Sequence, residues 1–427
     1  MNAARRISFA KLSQKEATAI VARHEMLFGG RRGGARAAFA FCDLSGLDLS
    51  GRNLADADFT GAVLEETNLT EARLDSASFF GADLRRANLS GASLRRSDMR
   101  GASLRGANLI GADLYEADLR EGTIAEKDQH GNLRVMQHDV GPSELPDALL
   151  NCANLERARL TGVVAVQADF TDAVMRGCRL QRANLRQAKL SGANLECADL
   201  SNCNLSGADL SGAVLIGVRM QQTVLNGADL TGALTDAPAG MQTAAAAAPV
   251  EPLLEQHSRW AESEGREGRP ADLSGMDLRA LKSLTHRSLT AIIAPNAILY
   301  GLDLTGSSLQ GSNFAGADLR YTRLTGADLR GVNFVGAKLN NADLRDTKLG
   351  PLLIAADRLL PARLDGMAAR YADFRGSDMR RAKVVEADFS YSNLTDCDLR
   401  DVDMASAITT GAKLPVSYAA SSAYSAR

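Results

Sequence analysis

The residues of this 427-residue chain best suited to chemistry are five histidines, six cysteines and a dense set of carboxylates. His24 and His257 fall in two stretches of helical periodicity, His130 and His138 in a short polar segment, and His286 stands apart. His130, His138 and Asp139 are donor types that a metal takes. A stable site needs three or four converging ligands, however, and the polarity of an exposed hairpin explains these residues more simply. No histidine is tied by spacing to a serine or cysteine nucleophile, and the sequence holds no G-x-S-x-G, no H-E-x-x-H and no phosphate-cradling glycine loop. The cysteines show no paired spacing, so thiol and zinc chemistry lack support. Asp396, Asp398, Asp401 and Asp403 form the densest carboxylate group, which reads as a solvated face. The expectation is a protein that is not an enzyme and carries no metal and no cofactor.

The elements that position these residues follow a spacing that suits neither a helix nor a half-buried strand. In ANLSGASLRRSDMRGASLRGANL (87–109), Leu89, Leu94, Met99, Leu104 and Leu109 are five apart, each with a small residue two places before it. From Leu44 to Ile124 all seventeen such core positions hold Leu, Phe, Met or Ile. A second register runs from Leu150 to Leu230, with Ala165 its smallest occupant, and a third from Leu299 to Leu414, weakest at Ala369 and Thr409. Two places before the core position stands Ala, Ser, Thr, Val or Cys, as at Cys42, Cys178, Cys203 and Cys397; Cys152 and Cys197 fall at corners. One place before it stands mostly Asp or Asn, and Gly is common two places after. The small and large residues share one face of an extended backbone and both point inward. The next two residues supply a corner, where glycine permits positive φ. The predicted core includes Leu44, Leu49, Phe59, Phe79, Leu89, Leu104, Leu185, Leu210, Phe314, Phe334 and Phe374.

The recurring A-(D/N)-L-x-x, as in GADLRRANLSGASL (81–94), SGANLECADLSNCNLSGADLSGAVL (191–215) and GADLRGVNFVGAKLNNADL (326–344), resembles the pentapeptide-repeat signature. The resemblance implies an all-β fold, a right-handed parallel β-helix of square cross-section with four pentapeptides per coil. Residues twenty apart then stack: Phe59 on Phe79 and on to Met99, and Phe314, Phe334 and Phe374 in one column with Ile354 between them. The register passes unbroken through Ile354 and Leu359, so GPLLIAADRLLPAR is expected to form an irregular coil rather than a break.

Two stretches leave the register. Residues 125–149 step the frame by one and look like a hairpin projecting from a corner. Residues 236–298 leave it too, beginning with Pro, Gly and an alanine run typical of a linker. Beyond that linker, Leu253, Leu254, His257, Trp260 and Ala261 repeat the helical spacing of Ile20, Val21, His24, Leu27 and Phe28, and Gly-Arg-x-Gly follows both at 30–33 and 265–268. The first helix opens with a capping box, Ser13 to Glu16, and stops at Gly29-Gly30. Open solenoid ends expose strand edges and core, so each helix is expected to be a cap. The expected organisation is two modules, each preceded by a short capping α-helix. It comprises a capping helix and lead-in (1–38), a β-helix (39–124), the hairpin insert (125–149) and the β-helix continued (150–235). A linker (236–249), a second capping helix with irregular lead-in (250–298), a second β-helix (299–414) and a disordered tail (415–427) complete it.

Charge narrows the function. The chain carries a net −2, with −4 over 44–124, +1 over 150–235, zero over 299–414 and +5 over 1–43. No global field draws it to nucleic acid, and no apolar stretch is long enough to span a bilayer. Arg5-Arg6 is followed by polar, periodic sequence rather than an apolar run, so a cytoplasmic, bacterial protein is expected. A long repeat surface without converging chemistry suits a non-catalytic scaffold that binds a macromolecular partner. Candidate contacts are Phe80, Arg85, Arg86, Arg95, Arg96, Arg100, Arg105, Ile110 and Tyr115, with His130 and Asn132 in the insert. A protein partner is expected, direct nucleic-acid binding is not, and monomer and homodimer stay open. The alternative that the resemblance implies is a DNA-mimicking modulator of a type II topoisomerase (gyrase), as in quinolone-resistance pentapeptide proteins. Glu65 and Glu66 one coil before Arg85 and Arg86 set opposite charges side by side, which speaks against such mimicry.

Overall fold

Asp58, Ser78, Asp98 and Asp118 pair in parallel, rung upon rung, and the same ladder continues through Arg159, Arg179, Asp199 and Arg219. A computed structural model describes residues 9–122, 142–237 and 250–416, with the backbone of 125–127 and 133–135. Within one coil the rungs are five residues apart and successive coils are twenty apart, so four short strands close each turn of a β-helical solenoid. The Leu64 N–H donates to the Asp83 carbonyl at 2.7 Å, and the Asp83 N–H donates back to Ala62 at 2.9 Å. Each corner is a tight turn: the Ala62 N–H donates to the Phe59 carbonyl at 3.0 Å, and Gly61 lies at φ +61°. Where the corner residue is not glycine, as at Arg86 and Arg96, it adopts φ +55° at a cost of about 1–2 kcal/mol.

The core positions are buried in a continuous Leu, Phe and Ala stack, Leu44, Leu49, Phe59, Phe79, Leu89, Leu104, Leu185 and Leu210 among them. Phe39 extends the aromatic column: it stacks on Phe59 at 5.1 Å and Phe59 on Phe79 at 4.8 Å. The Asp and Asn before each core residue do more than face water. Asp58 Oδ1 accepts the Thr60 N–H at 3.0 Å, and Asp83 Oδ1 accepts the Arg85 N–H at 3.2 Å, so the side chain closes the corner that follows it.

The chain divides into two compact units, Met1–Ala237 and Pro238–Arg427. In the first, β1 (Ala10–Lys11) pairs in parallel with β2 (Cys42–Asp43), and α1 (Gln14–Phe28) lies between them in sequence. The capping box predicted at Ser13 and Glu16 forms. Ala17 and Val21 of α1 join the unit's core, Gln14 exchanges two 2.8 Å hydrogen bonds with the Asp48 backbone, and Glu25 pairs with Arg52 at 2.8 Å. In the insert, β3 (Ala125–Lys127) and β4 (Leu133–Val135) pair antiparallel. The ladder resumes at Glu144, which pairs with Ser103, and Leu145 and Ala148 are buried. The predicted insert boundary at 149 is therefore too late. The ladder runs on to Leu234, which pairs with Val214.

In the second unit, α2 (Val250–Glu262) buries Leu254 and His257, and Glu251 pairs with Arg287. The segment expected to be an irregular lead-in is already solenoid from Ala271: Asp272 pairs with Ile293 and Asp277 with Ile298. A 3-10 turn at Arg279–Leu281 adds one residue to that coil and hides its register from a fixed count of five. The stretch expected to be an irregular coil, 350–363, instead holds a hairpin. There β5 (Leu352–Ala355) and β6 (Arg358–Leu360) pair antiparallel, with Leu353, Ile354 and Leu359 exposed. Asn333 pairs with Arg363, thirty residues on, so ten residues loop out of the coil. Ten is two pentapeptides, which preserves the count of five while moving every later column by half a coil. Phe314 still stacks on Phe334 at 5.7 Å, but Phe374 is not in their column; Asp373 pairs with Asp343, and Phe374 meets Phe389 edge-on at 5.5 Å.

Candidate functional site: an arginine-lined corner groove

Corner residues are the side chains that each coil presents outward, and the ladder fixes which corners align. Arg95, Arg96 and Tyr115 share one corner, Phe80 and Arg100 the next, Arg85, Arg86 and Arg105 the third, and Ile110 the fourth. The predicted contacts are thus spread around the solenoid. His130 and Asn132 lie outside the described residues.

Most of these side chains are held by neighbours. Arg100 grips Asp98 through two bonds of 2.8 and 2.7 Å and lies 5.0 Å over the Phe80 ring. Arg95 bonds Asp113 at 2.7 Å and covers the Tyr115 ring at 4.6 Å, while Tyr115 accepts from Arg157 at 3.2 Å. Phe80, Tyr115 and Ile110 are consequently half-buried. Arg85 clamps Asp83 at 2.6 Å, Arg86 bridges Glu65 and Glu66 at 2.7 and 2.9 Å, and Arg105 reaches Glu144 at 3.3 Å. Arg96 is exposed and makes no ion pair among the described residues.

Arg96 lines a groove of 750 Å³ with Arg100, Arg157, Arg159 and Arg179, opposed by Asp98, Glu116 and Asp118, with Gly177 between Arg157 and Arg179. Arg157 stands 3.8 Å from Glu116 and Arg159 stands 3.7 Å from Asp118. Arg179, like Arg96, makes no ion pair among the described residues. Burial works to raise the Asp118 carboxyl, but hydrogen bonds from Arg120 outweigh it and hold the group below the usual carboxylate range. Its bond to Asp98 lifts the Arg100 guanidinium above its ordinary value. The five guanidiniums suit carboxylate or phosphate oxygens.

Sequence reasoning missed Arg157, Arg159 and Arg179. A signal was present: Arg159, Arg179 and Arg219 replace Asp or Asn at coil spacing. The insert sets Arg159 forty-one positions after Asp118, which broke the arithmetic that would have set them beside Asp98 and Arg100. A second groove, of 610 Å³, involves Arg330, Arg380, Arg381 and Arg400. These are matched by Asp328, Asp378, Asp401 and Asp398 at 2.6–3.1 Å; of the predicted carboxylate group, Asp398 and Asp401 are spent in those pairs, while Asp396 and Asp403 make no ion pair among the described residues.

Ser97 also lines the first groove, but its hydroxyl makes no hydrogen bond, so no base is placed to activate it. Burial pushes the Cys203 and Cys397 thiols up to about 12, and Cys203 Sγ donates to the Leu180 carbonyl at 2.7 Å, which leaves it inert. Among the described residues no three His, Cys, Asp or Glu side chains are placed to hold a metal ion. No described helix is long and apolar enough to cross a membrane.

A comparison with protein families agrees with this architecture. The family described as "Pentapeptide repeats" matches in eight copies, at 42–81, 82–120, 153–192, 193–232, 297–334, 312–349, 362–401 and 385–414. Among solved structures, a pentapeptide repeat protein (Rfr23) from the cyanobacterium Cyanothece 51142 is 29% identical. That match covers 31% of this chain and 91% of the other, with a TM-score of 0.27. HetL, a pentapeptide repeat protein involved in heterocyst differentiation regulation in Nostoc sp. strain PCC 7120, is 22% identical over 91% of this chain and 92% of its own, with a TM-score of 0.13. QnrB1, a plasmid-mediated fluoroquinolone resistance protein, is 16% identical over 45% of this chain and 91% of its own, with a TM-score of 0.21. No curated protein matches. With its repeats matched over well more than half their length and its rungs recurring every five residues, this chain belongs to the pentapeptide-repeat family.

Proposed function

We propose that this protein is a non-catalytic scaffold that presents a rigid β-helical surface to a protein partner, with the Arg96–Arg179 groove as its principal contact. The observation that carries the reading is the contrast in pairing. Within this groove Arg100 is clamped by Asp98, and Arg157 and Arg159 stand beside Glu116 and Asp118, whereas Arg96 and Arg179 bring two guanidiniums that make no ion pair among the described residues. A guanidinium without an internal ion pair has none to break when it binds, and its planar fork matches a carboxylate, which favours an acidic, carboxylate-bearing partner. In the same reading α1 and α2 are caps that close the solenoid ends of their two units, and the protein acts in the cytoplasm.

Alternating Asp–Arg clamps give the surface no continuous acidic stripe, so the gyrase-modulator reading has the weaker support. Cross-linking of the native full chain, followed by the double variant R96E/R179E, tests the scaffold reading. The wild type captures a partner that the variant loses while keeping its melting temperature. A captured set that is identical for both proteins would remove the groove from the interface.

A further inference from the structure

His24 and His257 occupy matching places on α1 and α2, and both rings are completely buried. His24 Nδ1 accepts the Ala37 N–H at 3.0 Å, and His257 Nδ1 accepts the Ala271 N–H at 3.0 Å. Ala37 and Ala271 lie where the chain enters the first coil of each unit. An accepting Nδ1 carries no proton, so both rings are neutral, with hydrogen on Nε2. Neither Nε2 makes a well-formed hydrogen bond, although the Ala55 carbonyl lies near that of His24 and the Leu289 and Thr290 carbonyls near that of His257. Protonating either ring sets an N–H against a backbone N–H and buries a cation that the helix must then expose to water.

We propose that His24 and His257 are a matched pair of acid-sensitive latches, each holding its helix on the first coil only while its ring is neutral. The proposal rests on reading α1 and α2 as caps. His24 is faced by Glu25 on its own helix and Asp56 on the coil, which favour a proton, and by Arg36 on the lead-in, which opposes one. The Phe28 ring meets it edge-on at 4.9 Å. Among the described residues no charged group acts on His257; the Leu289 and Thr290 carbonyls and the Trp260 ring, 5.5 Å away, surround it. Burial holds both rings below the ordinary histidine value, with the nearby carbonyls offsetting part of the effect. The sign follows: each latch contributes fully above the ordinary histidine pKa and is lost as pH falls towards the ring's own depressed value. The salt bridges Glu25–Arg52 and Glu251–Arg287 tie the same helices to the same coils.

Trp260 is the only tryptophan and touches the second latch, so its emission reports α2 in the intact chain. Titrated from about pH 7.5 to about pH 5, the wild type shows a reversible red shift of that emission. In His257→Asn the amide oxygen can accept the Ala271 N–H and carries no proton, and the blue-shifted emission persists through the same range. The ring titrations of wild-type His24 and His257 by NMR supply a readout that needs no variant: neither ring gains its proton before the helix leaves. A tryptophan already red-shifted at neutral pH would overturn the cap reading itself. A docked tryptophan that ignores acid, or an H257N shift at the wild-type pH, would overturn the latch and leave the cap standing.

Discussion

Phe59 lies flat on Phe79, ring centroids 4.8 Å apart and planes within 1°. One residue type at one position of successive coils has become a continuous aromatic column, because a coil of twenty residues returns each side chain to the place below it. The contact is stacking in the solenoid's interior, where no rearrangement can refill the space.

Replacing Phe59 with alanine therefore costs about 3–5 kcal/mol, seen as a lower urea midpoint of the first unit. The gap also removes support from Phe39 above, so the loss falls at the upper end of that range. A change under about 1 kcal/mol would mean the column does not exist.

The hairpin β5–β6 is an addition to the second unit, not part of its coil. Deleting residues 351–360 joins the coils at their ordinary spacing and should leave the helical ladder and the melting temperature nearly unchanged. Loss of folding in that deletion would show that the coil runs through Ile354 after all.

Two corner glycines separate backbone strain from crowding. Gly336 lies at φ +65° with open space where a Cβ would go, so Gly336→Ala carries only the left-handed penalty of about 1 kcal/mol. At Gly331, φ +67°, the added carbon would stand 2.8 Å from Leu352 Cβ, so Gly331→Ala must also lift the hairpin. Comparative melting of the two variants, with Gly331→Ala clearly the worse, checks that the hairpin lies back on that corner.

Acid should weaken the corners. Hydrogen bonds from Arg380 hold Asp378 below its ordinary value, and those from Arg400 do the same for Asp398. Depressed carboxylates lend stability that is complete above the ordinary aspartate pKa and disappears as pH drops through the folded value. Urea midpoints should be level from neutrality to about pH 5 in the second unit of an H257N background, then fall, and Asp378→Asn should flatten that fall.

How much of this was legible follows from what a count of five can and cannot see. Leu44, Leu89 and Leu210 could be placed inside from spacing alone, since each pentapeptide repeats one local geometry. Phe374 could not, because a ten-residue hairpin preserves the period while shifting the columns, and only pairing across coils reveals it. Asp272 and Asp277 were missed for the opposite reason: a single extra residue at Arg279–Leu281 broke the period while the coil continued. The groove failed on the same arithmetic across the insert. Residue types also gave no hint that Phe80 and Tyr115 lie under arginines, a pairing set by which corners stack.

Amide exchange across residues 84–110 tests the wound ladder most directly. The N–H groups of Leu84, Leu89 and Leu109 bond to the next coil at 2.7–2.8 Å, whereas those of Arg85, Ser90 and Ile110 bond only to a side-chain oxygen two residues before. The fold predicts slow exchange at the leucines and faster exchange at the residue after each, recurring every fifth position. Protection that is uniform, or that follows a helical period, would contradict it.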